Sequence, residues 1–186
     1  MTLSRFDPRH TIEQRQQDRL QLLLEALSEN RFYSARLKAA GVPSHLALLE
    51  FLNRIPFTVR QEIADDQRLH PPYGTNLSYP LQRYTRFCQT SGTSGSPIHW
   101  LDTPESWNWM LNCWTQVFQA AAIGPPDRVF FAFSFAPFLG FWTAFEAGCQ
   151  IGAQCIPAGG MSTQARITMI RALKPTVVCC TPTYAL

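Results

Sequence analysis

The chain has 186 residues, of which 46% are hydrophobic, 12% aromatic and only 16% charged, with a formal net charge of +3. A charge-poor, aromatic-rich composition excludes an intrinsically disordered chain. So small a positive excess excludes the electrostatic footprint of a nucleic-acid-binding protein.

The first elements in chain order are helical. Leu20, Leu23, Leu24 and Leu27 recur at helical spacing over 11–29, with Thr11 and Gln14 as a capping box. A second helix is expected over 31–40, ended by Gly41 with Pro43 beyond. A third starts at Ser44 with Leu46, Leu49 and Leu52 on one face, and Thr58 caps a fourth that runs to about Asp66. A Pro- and Gly-bearing linker from His70 to Pro80 follows. Residues 1–70 therefore read as a helical segment, and 71–186 as a separate α/β subdomain.

The second part begins with a strand over 84–89, whose return strand is 98–101. Thr103-Pro104 is a helix start, and that helix ends at Gly124-Pro125-Pro126. Strands are then expected at 129–133, 154–157 and 176–180, alternating with helices over 138–149 and 163–173. Val129-Phe130-Phe131 and Val177-Val178-Cys179-Cys180 are apolar at consecutive positions, as parallel strands covered on both faces are. Val129 to Phe145 carries no charge, but Ser134, Pro137, Gly140 and Thr143 make it a strand, a turn and a buried helix rather than a membrane span.

The charges are unevenly placed. Residues 1–70 hold ten basic and nine acidic side chains, and 71–186 hold six and four. A free-standing domain needs polar cover, so the second part reads as a piece of something larger. Six cysteines without metal-site spacing, in a chain with no signal-peptide pattern at Met1 to His10, are expected as reduced thiols in the cytoplasm. No metal site, nucleic-acid partner or membrane contact is expected, and oligomeric state is not readable.

The segment richest in chemistry is Thr90-Ser91-Gly92-Thr93-Ser94-Gly95-Ser96-Pro97. Glycines allow backbone N–H groups to approach an anion, and hydroxyls add donors, so such a loop can wrap phosphate oxygens. It is neither a Walker loop nor a Rossmann fingerprint. The octet resembles the phosphate-binding signature of the adenylate-forming enzymes, the acyl-CoA synthetase and luciferase superfamily. The flanking Asn30-Arg31-Phe32-Tyr33, Ile55-Pro56-Phe57-Thr58, Pro72-Tyr73-Gly74, Ile156-Pro157-Ala158-Gly159-Gly160 and Lys174-Pro175-Thr176 through Leu186 resemble the phenylacetate–CoA ligase branch.

The resemblance implies an incomplete piece of that family's large α/β domain. It implies ATP-dependent activation of an aromatic or related carboxylic acid through an acyl-adenylate, then thioester formation with coenzyme A. Its alternatives are adenylation with transfer to a carrier protein or another acceptor, or a non-catalytic truncated remnant. ATP, Mg²⁺ and CoA are the implied cofactors and substrates, and the small-molecule acid the partner. Thr90, Ser91, Gly92, Thr93, Ser94 and Gly95 would bind the ATP phosphates, and Phe135, Phe138, Gly140, Phe141 and Tyr184 would line the acyl pocket. The family's catalytic lysine and its adenine- and ribose-binding groups match nothing in these 186 residues, so no catalytic residue is assigned and the chain alone is expected to be inactive. Many members carry lysine at the position of Ser96 or just after the proline; this chain has Ser96 and Ile98.

Overall fold

The computed structural model describes residues 7–92 and 95–185. The chain divides between Arg83 and Tyr84 into two compact units.

The first unit holds α1 (Arg9–Ser28), α2 (Arg31–Ala39), α3 (Leu48–Arg54) and α4 (Arg60–Leu69). Leu20, Leu24 and Leu46 form its buried core, with Leu37, Val42, Leu48 and Phe51 packed against them. Two helix starts differ from expectation. Pro8 precedes α1, and its carbonyl accepts from Thr11 N–H, so Thr11 lies inside the first turn and forms no capping box. Gln17 sets the start of α3: its Nε2 donates to Leu46 O and its Oε1 accepts from Leu48 N–H. Ser44 therefore stays outside the helix. Leu48 and Phe51 face the core instead of Leu49 and Leu52, which are exposed. Leu23 is likewise exposed. At α4 the cap belongs to Glu62, whose Oε2 accepts from Val59 N–H; Thr58 bonds Tyr33 instead. The Val59 N–H, and next the Arg36 guanidinium, hold the Glu62 carboxyl below its ordinary range.

The segment 71–83 sits with these helices. Asp66 accepts from both the N–H and the hydroxyl of Thr75. Asn30, buried at the start of α2, donates to Asn76 and Ser78. These side-chain bonds place the division of the chain beyond the linker that composition marks.

The second unit begins with an antiparallel pair, β1 (Arg86–Gln89) and β2 (His99–Asp102), in which Gln89 faces His99. Then follow α5 (Pro104–Ala120), β3 (Arg128–Phe131), α6 (Leu139–Gln150), β4 (Gln154–Pro157), α7 (Thr163–Leu173), β5 (Val177–Cys179) and α8 (Pro182–Ala185). Thr103 caps α5 by accepting from Ser106 N–H. The three later strands form a parallel sheet in the order β4-β3-β5. β3 is central, and Val129, Phe130 and Phe131 are fully buried. Alternation sends Val129, Phe131 and Phe133 toward Trp107, Leu111, Phe118, Ala144 and Ala147 of α5 and α6. Phe130 and Ala132 meet Met169 and Ile170 of α7. The consecutive apolar residues that predicted parallel strands thus serve two cores, one on each face. No described helix is long and apolar enough to cross a membrane.

Candidate functional site

The hydroxyl- and glycine-rich octet forms the tip of the β1–β2 hairpin. Thr90 closes its base: Thr90 N–H donates to Ile98 O, and Thr90 Oγ1 accepts from Ile98 N–H, both at 3.0 Å. Within the loop Gly92 has φ +70° and Gly95 φ +137°, and Gly95 N–H donates to Gly92 O. A Cβ on Gly92 would lie 3.0 Å from both Gly95 O and Pro97 Cγ. Only glycine fits there comfortably. Ser91, Gly95 and Ser96 are exposed, so the loop's outer surface lies open to solvent. Thr93 and Ser94, the other two expected phosphate ligands, lie outside the described residues.

A hydrogen bond of 2.8 Å from Gln89 N–H to Pro137 O ties this hairpin to the loop that leaves β3. That loop is itself held: Ala136 adopts φ +39°, and its carbonyl accepts from Trp142 Nε1 at 2.7 Å. The loops after β3, β4 and β5 all lie at the carboxyl edge of the parallel sheet, where ligand crevices open in α/β folds. Gly159, after β4, passes so close to the β3 loop that a Cβ would lie 3.1 Å from Phe133 O and 3.2 Å from Phe135 Cδ2.

A cavity of about 180 Å³ opens at this edge. Phe133, Gly140, Phe141 and Ala144 line one side, Cys179, Cys180 and Thr181 another, and Trp114 of α5 completes it. Phe141 stacks on Phe133 with ring centroids 4.2 Å apart. A Cβ on Gly140 would meet nothing within 4 Å, so its missing side chain is open volume. No charged side chain lines the cavity, so it suits an apolar group.

Of the five residues expected in an acyl pocket, Gly140 and Phe141 line this cavity. Phe138 meets Phe141 edge-on, and Phe135 packs among Phe133, Trp142 and Phe145. Tyr184 lies against Thr163, 3.3 Å from its hydroxyl, and under the Arg166 guanidinium. The Thr163 bond, followed by that of Arg166, lowers the phenol pKa. Trp114, Phe133, Cys179, Cys180 and Thr181 line the cavity as well and are not among those five, although Phe133 opens the segment that holds four of them. Phe133, Cys179, Cys180 and Thr181 carry a positional signal, since they lie at or just beyond the carboxyl ends of parallel strands; Trp114, within α5, carries none.

All six thiols are free. Burial, and then the neighbouring Cys180, raises the Cys179 thiol; burial, and then Cys149, pushes Cys155 up to about 12. Neither has the depressed pKa of a nucleophilic thiol. Among the described residues no three His, Cys, Asp or Glu side chains gather in a way that could hold a metal ion.

The chain is similar to known ligases over nearly its whole length. It is 28% identical to the phenylacetate–coenzyme A ligase of Escherichia coli strain K12, over 100% of this chain and 43% of the relative. It is 29% identical to the Thermus thermophilus enzyme of the same name, over 96% of this chain and 39% of that one. The chain is phenylacetate–CoA ligase-like. It spans about two-fifths of the length of the curated relatives it matches. The fold agrees: a crystal structure of 2-hydroxyisobutyryl-CoA ligase with 2-HIB-AMP and CoA superposes with a TM-score of 0.87 and 26% identity, over 96% of this chain and 39% of that one. The α/β architecture of this ligase-like chain is therefore a partial piece of an acyl-CoA ligase fold. No protein-family model matches the chain.

Proposed function

We propose that this ligase-like chain supplies the nucleotide- and acid-binding face of an ATP-dependent acid–thiol ligase. In the first step a carboxylate oxygen attacks the α-phosphorus of ATP; the bond to the bridging oxygen breaks, and pyrophosphate leaves with its electrons. In the second the CoA thiolate attacks the acyl carbon, and AMP departs. The chain's part is to hold the polyphosphate and to bury the acid's apolar end. The loop's hydroxyls, with the backbone N–H groups that its own closing bonds do not use, hold the β and γ phosphates, at about 1.5–3 kcal/mol per bond to a charged acceptor. Mg²⁺ arrives with the nucleotide as part of the substrate and shares that charge. The acid's ring enters the cavity beside Gly140 and Phe141. A volume of about 180 Å³ suits one ring, since a dry engineered cavity of about 150 Å³ takes up benzene. Acid, ATP and CoA are the small-molecule partners. Six free thiols support a reducing, cytoplasmic setting.

The observation that carries this reading is the Gln89–Pro137 hydrogen bond, which sets the open phosphate-type loop beside the loop bordering the apolar cavity. The test is calorimetric titration of phenylacetate into the chain with ATP present. Binding at one site is expected. Gly140→Leu fills the cavity without a clash at its Cβ, so it should weaken phenylacetate roughly 20-fold and leave ATP affinity unchanged. Equal acid affinity in both proteins contradicts the acid assignment.

A further inference from the structure

Glu146 is the one carboxylate in the last 59 residues of the chain, and it is three-quarters withdrawn from solvent, with its side chain 25% exposed. It stands on α6, yet its Oε2 accepts from two other elements. Arg86 Nη2, at the first residue of β1, donates at 3.0 Å. Trp107 Nε1, from the buried face of α5, donates at 2.8 Å. The Arg86 guanidinium also lies over the Trp107 ring, 4.8 Å from its centroid. One oxygen thus joins the hairpin, α5 and α6. α5 carries no charge from Ser106 to Ala120, so this charge is an exception on the α5–α6 face, and in some proteins such a buried charge serves to fix one geometry.

The geometry fixed is that of the hairpin. Cys88, in the middle of β1, is buried in the core with α5 and α6, and the strand is tethered on either side of it, Arg86 to Glu146 and Gln89 to Pro137. The buried thiol seats the strand, and the tethers at its two ends limit its tilt about that point. The loop at its tip recognises an anion by several N–H groups at once, so its affinity depends on that orientation. We propose that Glu146 is a positioning residue for nucleotide binding, holding the hairpin at the angle at which residues 90–96 meet the polyphosphate. This rests on the phosphate role assigned above.

The test compares the native chain with Glu146→Gln, Arg86→Met and the double variant. Glu146→Gln keeps an acceptor for Trp107 and removes the ion pair. Hydrogen exchange is read without nucleotide, and ATP and phenylacetate affinities by calorimetry. Each single variant should speed exchange over 86–102 and weaken ATP by about tenfold, a change equivalent to one modest interaction. The double variant should be no worse than the worse single one. Phenylacetate affinity and exchange in β3 and β4 should stay within about twofold of native. Native hairpin exchange and native ATP affinity in both single variants would overturn the proposal. So would a general loss of protection across the parallel sheet, or an equal loss of phenylacetate affinity, since α6 also carries Gly140 and Phe141. A native chain that binds no ATP refutes the phosphate role itself, a result separable from the tether because the exchange comparison needs no nucleotide.

Discussion

Gly92→Val should abolish measurable ATP binding while the chain keeps its secondary structure. Two effects act together. A β-branched residue at φ +70° is a backbone outlier. Its Cβ would also lie 3.0 Å from Gly95 O and from Pro97 Cγ, and both are parts of the loop's own ring rather than movable side-chain ends. The loop must open to relieve the contact. Losing even two charge-assisted bonds of about 1.5–3 kcal/mol each weakens the nucleotide at least about 100-fold. The substitution lies at an exposed hairpin tip, so circular dichroism and the thermal midpoint should change little. Calorimetric titration with Mg-ATP gives the answer, and an unchanged Kd would mean that the left-handed turn has no part in binding.

Phe131→Ala should remove about 3–5 kcal/mol of stability. Phe131 is fully buried in the central strand. Its ring meets Phe145 at 5.2 Å and Phe133 at 5.7 Å, and a Cβ on Gly148 would lie 3.4 Å from its Cζ. Neighbours so closely set on three sides, one of them a helix backbone, cannot collapse into the space a truncation leaves. A domain's whole stability is about 5–15 kcal/mol, so the loss is a large share of it. Val178→Ala is the control: Val178 is 50% exposed on β5, and its truncation should cost less than about 1 kcal/mol. Urea denaturation of both variants checks the pair. A Phe131→Ala midpoint no lower than that of Val178→Ala would contradict a core centred on β3.

The parts of the fold legible from sequence are those set by local pattern. The fully apolar run at 129–131 announced a strand covered on both faces, and the structure buries all three residues completely. Thr103-Pro104 announced α5, and Thr103 caps it. What pattern could not show depends on side chains reaching across the chain. Gln17 decides where α3 begins by bonding Leu46 and Leu48, and no periodicity near Ser44 encodes that. Asn30 and Asp66 draw the segment 71–83 onto the helices although its Pro- and Gly-rich composition reads as a linker. At the site, the octet was conspicuous because its chemistry is local. The cavity was half visible: Gly140 and Phe141 open the helix that follows β3, whereas Cys179, Cys180 and Thr181 join them only because β5 pairs beside β3. That pairing is a tertiary fact. Gly159, whose approach to Phe133 leaves no room for a side chain, is of the same kind.

The central claim is that the β1–β2 hairpin tip grips the polyphosphate of a nucleotide. It is tested most directly by recording amide resonances of the ¹⁵N-labelled chain as Mg-ATP is added. The largest shifts should fall on the amides of residues 91–96, with smaller ones at Gln89 where the tether to Pro137 begins, and pyrophosphate alone should reproduce the former. Shifts confined to other parts of the chain, with the amides of residues 91–96 unmoved at saturation, would contradict it.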